Sequence, residues 1–234
     1  MDIHKPKPVH DWRELLSEIG VIVIGVLIAL GAEQVVDAIH WSHKVESLEG
    51  SIRSELSNDL GLALELKIIH PCVVRYLDTL QVAVLANDVP KIKSLNDAGP
   101  PLFGRAWPRD TWTAALNAQV SDHLKEDRVT AYSRAFLRVG VQREFMQEME
   151  ALYPVALSGW LGLPRDVSVE NQQLVAIQRL RSLEATRLLI SNSLLEEDGP
   201  GLSTKPSMKY SGEDQAYSQA CNVRIGPLQA SGGS

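Results

Sequence analysis

Asp37, His40 and His43 follow one another at steps of three, which on a helix would line three metal-ligating side chains along one stripe. Donors strung along a single helix converge poorly on one ion, and a structural site needs a fourth from elsewhere. The spacing therefore reads as a polar collar around Trp41. Glu18 and Glu33 flank an apolar run, where their carboxylates can reach out to a polar interface instead of carrying protons. The chain has no nucleophile elbow, phosphate-cradling glycine loop, HExxH pair or dinucleotide fingerprint. No catalytic residue, cofactor or metal is expected, and the chain reads as a non-enzyme. Its two cysteines, Cys72 and Cys221, are expected to form a disulfide if they fold in an oxidising compartment. The alternative is two separate small buried side chains.

The apolar run itself, 19–32 (IGVIVIGVLIALGA), covers only about 21 Å as a helix, short of a bilayer core of about 30 Å. Extending it to 15–36 gives about 33 Å, enough to span. Trp12 and Trp41 lie about 43 Å apart along such a helix, matching the two interfacial zones where indole rings settle. Lys5, Lys7 and Arg13 precede the run, against Lys44 and Arg53 after it, so the N-terminus is expected in the cytoplasm. A basic start, a short apolar stretch and Ala29-Leu30-Gly31 also resemble a cleaved signal peptide. The helical pattern passing unbroken through that point argues against cleavage. Gly25, Ala29 and Ala32 share a small-residue face that would let another transmembrane helix approach closely.

The elements around these residues are helical. Asp11 with Glu14 makes a capping box, and Val45, Leu48, Ile52, Leu56, Leu60, Ala63 and Leu66 continue the period outward to about residue 69, where Pro71 is expected to end the helix. A second helix, 72–86, is expected to fold back antiparallel against the first. A Gly- and Pro-rich loop through Arg109, a short helix 111–120 capped by Asp110, a long helix from Val129 to Pro154, a turn at Gly159, Gly162 and Pro164, and a last helix capped by Asp166 or Ser168 follow. Trp112 is expected in the core. The stretch 198–234 is dense in Gly, Pro and Ser and reads as a tail. The expected organisation is thus an extended cytoplasmic arm 1–10, an anchor 11–40, a helical-bundle domain 41–197 and the tail, an all-α chain with a membrane-anchored antiparallel bundle. A net charge of -6 without a Lys/Arg block excludes the phosphate-neutralising footprint of a nucleic-acid binder.

Trp12-Arg13-Glu14-Leu15-Leu16, Glu18-Ile19, Gly25-Val26 and Ala29-Leu30, with the later Thr111-Trp112-Thr113-Ala114-Ala115, resemble a group of uncharacterised bacterial single-pass inner-membrane proteins. The resemblance covers the anchor well and the helical domain loosely. It implies an N-terminal anchor, a long outward helix and a Thr-Trp segment before another long helix, and it brings no activity. The expected role is that of a membrane-anchored accessory, scaffold or interaction protein of the bacterial envelope, its domain periplasmic. Its expected partners are the lipid bilayer and a membrane or envelope protein or a second copy. The alternatives are a periplasmic ligand-sensing domain acting through a partner, or an anchored hydrolase without a recognisable motif.

Overall fold

The computed structural model describes residues 12–99, 106–158 and 166–207. Among them every regular element is helical. The expected arm 1–10, the Asp11 cap, the turn at Gly159, Gly162 and Pro164, and Cys221 lie outside the described residues. The chain divides into two units, Met1–Ser47 and Leu48–Ser234.

In the first unit the described residues belong to the start of α1 (Trp12–Leu85). Its apolar side chains are uncovered, Val21 being 69% and Ile28 67% exposed. Helix propensity alone does not explain such a surface, because leucine and isoleucine left in water forgo roughly 1.5–3 kcal/mol each. The helix is long and apolar enough to cross a membrane.

The second unit holds the rest of α1 with α2 (Val89–Ala98), α3 (Asp110–Asn117), a 3-10 turn Val120–His123, α4 (Glu126–Leu157) and α5 (Val167–Ser193). Two apolar clusters make its core. One gathers Ile52, Leu56, Leu60 and Ala63 of α1 with Trp112 and Ala115 of α3 and Tyr132, Phe136 and Val139 of α4. The other joins Val73, Leu77 and Leu80 of α1 to Met149 and Tyr153 of α4 and Ile177, Leu180 and Leu183 of α5. Pairings of Gln142 with Arg187 and of Glu148 with Arg179 make α4 and α5 antiparallel.

Pro71 does not end the first helix. It sits inside α1, so the stretch 72–86 continues that helix instead of folding back on it, and α5 provides the antiparallel return. A proline inside a helix costs about 3 kcal/mol through its missing N–H and the clash with the preceding turn. Burying Ile69, Val73, Leu77 and Leu80, at roughly 1.5–3 kcal/mol each, outweighs that cost. The helix stops fourteen residues later, at Leu85, in a Schellman corner: Asp88 N–H donates to Ala83 C=O and Asn87 N–H to Val84 C=O, with Asn87 left-handed at φ 53°.

The expected loop after this corner contains α2. Asp88 caps it by accepting from Lys91 N–H, Pro90 occupies its first turn, and Ile92 is buried. Asp110 does not cap α3. It lies within the first turn, and the cap position, Arg109, supplies no side-chain hydrogen bond. Pro154 likewise stays within α4, whose next residues Ala156 and Leu157 are buried. Asp166 caps α5 as expected, accepting from Ser168 N–H. Beyond α5 a π turn, Leu194–Asp198, leads into a packed segment: Leu202 is fully buried, and Ser207 N–H donates to Ser57 C=O. Residues 198–207 thus pack as part of the domain, and 208–234 lie outside the described residues.

Candidate functional site

The sequence-derived candidates separate when placed on the structure. Around Trp41, the His40 ring stands edge-on at 6.1 Å and Lys44 Nζ lies 4.6 Å above the indole. These are a cation–π contact and an edge-to-face ring pair, while among the described residues no group of His, Cys, Asp and Glu is placed to hold a metal. Gly25 has open space where a Cβ would stand, and Ala29 and Ala32 on the same face are exposed. Trp12 is exposed. Cys72 is in a disulfide rather than a free thiol; Cys221 lies outside the described residues.

A different set of polar groups, which motif reading did not single out, forms a layer between the two apolar clusters. Gln142 of α4 donates from Nε2 to Arg187 C=O at 2.8 Å and to Ser191 Oγ at 3.0 Å. Arg187 Nε returns a bond to Gln142 Oε1 at 3.1 Å, and its Nη1 lies 3.4 Å from Glu184 Oε2. The other Glu184 oxygen lies 3.1 Å from His70 Nδ1 on α1. Gln142, Glu184, Arg187 and Ser191 are all buried. Burial pulls the Arg187 guanidinium below its ordinary value, since charge is disfavoured where water is excluded. The Tyr153 hydroxyl is buried close by without a hydrogen-bond partner among the described residues, and burial, with the Glu184 charge second, pushes it far up. The layer ties α1, α4 and α5 in one register, because its donors and acceptors match only at that setting.

A second polar anchor holds the C-terminal segment. Asp198, buried at the end of the π turn, accepts from Arg134 Nε at 2.8 Å and Arg138 Nη1 at 2.6 Å. Arg138 also reaches Glu197 at 2.7 Å. The wide π turn brings both carboxylates to α4 together.

The third constellation docks α3. Glu55 of α1 accepts at one oxygen, Oε2, from Thr111 N–H at 3.1 Å and from Thr111 Oγ1 at 2.7 Å. This supplies from another helix the cap that Arg109 lacks. Trp112 then enters the core, 5% exposed, stacked on Phe136 at 6.0 Å and tilted on Tyr132 at 5.7 Å. One turn beyond Glu55, Asp59 is fully buried, and neither of its oxygens has a partner among the described residues.

A sequence signal for these groups exists. Positions 52, 56, 59, 63, 66, 70 and 73 alternate steps of four and three, and so do 173, 177, 180, 184, 187, 191 and 194. That is the rhythm of core positions in packed helices. Asp59, His70, Gln173, Glu184, Arg187 and Ser191 are the polar residues standing on it. The arrangement can set register and carry charge internally; its donors and acceptors are mostly turned on one another. No family model, no curated protein and no solved structure matches this chain.

Proposed function

We propose that this chain is a single-pass protein of a bacterial inner membrane, with its N-terminus in the cytoplasm and its helical domain in the periplasm. In this reading it serves without catalysis as an accessory, scaffold or interaction module for another envelope protein or a second copy. The observation that carries the proposal is the uncovered apolar helix over 15–36. Such a surface has the length and composition of a bilayer span, and the likeness of 12–30 to bacterial single-pass anchors agrees with it. The Trp41 collar, with Lys44 on the indole face, suits the headgroup zone. The disulfide state of Cys72 supports the periplasmic side, where such bonds persist. The non-catalytic role draws on the polar layer, whose buried members are bonded to each other.

A ligand-sensing reading draws on one observation, the unpartnered Tyr153 hydroxyl beside the Arg187–Glu184 pair. Cross-linking in cells followed by purification of the full-length chain in mild detergent separates the two. The proposal expects a fixed-stoichiometry complex with an envelope protein or a second copy. A lone monomer whose melting temperature rises on adding a small molecule would overturn it in favour of sensing.

A further inference from the structure

Glu55 and Asp59 stand one helical turn apart on the same side of α1, yet they are treated oppositely. Glu55 is tied at Oε2 by two hydrogen bonds from Thr111, while its Oε1 and both Asp59 oxygens are buried without a partner among the described residues. Cations on the packed elements are engaged elsewhere or exposed. Arg53 binds Glu49 and Tyr132, and Arg134 and Arg138 bind Asp198. Arg128 faces Glu49, Arg109 and Lys205 are exposed, and the acidic Asp110 on α3 is exposed as well. Glu55 is the charge that acts on Asp59.

From this placement we infer that Asp59 is a proton-operated latch for α3: its neutral carboxyl lets α3 close over α1 through Glu55 and Thr111, and its ionisation opens that contact. Among the described residues the buried carboxylate has no counter-ion, so ionisation requires admitting water. The element best suited to give way is α3. It is eight residues long, lacks a side-chain cap of its own, and is followed by Gln119 in the left-handed region at φ 55°, where a side chain with a Cβ is strained.

Burial, with the Glu55 charge second, pushes Asp59 up to about 8 from 3.8. Closed α3 binds one proton more than open α3 between the open-state and closed-state values. Opening is therefore least favoured below about pH 4, grows about tenfold per pH unit, and levels off above about pH 8.

Hydrogen–deuterium exchange of the full-length chain in detergent, corrected for intrinsic rates, reads this directly. Peptides over 107–120 should lose protection about tenfold per pH unit from about pH 5.5 and level off near pH 8. They should stay less protected throughout than peptides from α4 and α5. Asp59→Asn should abolish the slope. Glu55→Gln, which removes the like charge, should move the levelling-off to lower pH. A flat wild-type profile, a slope that persists in Asp59→Asn, or equal protection of 107–120 and α4/α5 at every pH would overturn the latch. If Asp59→Asn does not fold, a levelling-off unmoved in Glu55→Gln overturns it equally.

Discussion

Arg187→Met lowers the stability of the full-length protein in mild detergent by about 3–5 kcal/mol, the cost of stripping one partner from a buried ion pair. For a domain of this size that is a fall in melting temperature of roughly 6–20 °C. Methionine nearly fills the volume of the arginine stem, so lost packing is a minor part. The larger part is what stays behind: Glu184, fully enclosed, loses the guanidinium at 3.4 Å, and Gln142 Oε1 loses its donor. His70 remains against the other Glu184 oxygen at 3.1 Å and recovers only some of the loss. The double variant Glu184→Gln, Arg187→Met removes both charges, and it is expected to be more stable than Arg187→Met alone. Circular-dichroism melts of the two variants check this, and a double variant less stable than the single would show that the pair is not what the arginine serves.

Trp112→Ala carries a comparable effect for a different reason. The indole is 5% exposed and lies against Phe136 and Tyr132, so its removal leaves a cavity that two rings line. Deleting a core aromatic costs about 3–5 kcal/mol. The cavity also loosens α3, whose other ties are buried Ala115 and the Thr111 bonds to Glu55. Thr111→Val, which keeps shape and removes the hydroxyl donor at 2.7 Å, serves as the comparison and should cost about 1 kcal/mol. Equal melting temperatures for wild type and Trp112→Ala would place α3 outside the cooperative core.

Much of this architecture was legible in residue spacing, and its failures have physical causes. The apolar run, the Asp166 cap and the core place of Trp112 follow from composition and periodicity. Judged locally, Pro71 and Pro154 mark helix ends, since each costs about 3 kcal/mol within a helix. The stripe through Ile69, Val73 and Leu77 runs past Pro71 without changing phase, and its burial decides the outcome. The helix α2 was hidden by the Gly/Pro content around it, though Asp88 followed by Val89-Pro90 is a helix start in its own right. The cap of α3 could not be read locally, because its acceptor, Glu55, is fifty-six residues away in sequence. The polar layer carries no motif, because Glu184 and Arg187 sit in the register of the core.

Whether this is, as proposed, a periplasmic domain on an uncleaved membrane anchor can be decided by one fractionation of cells carrying a C-terminal tag. Membranes are washed in alkaline carbonate, and intact spheroplasts are treated with protease. The expected result is a full-length chain that stays in the carbonate pellet and loses its tagged domain to protease added outside. A chain released by carbonate, a shortened soluble product beginning after the apolar run, or a tagged domain protected until the spheroplasts are broken would contradict it.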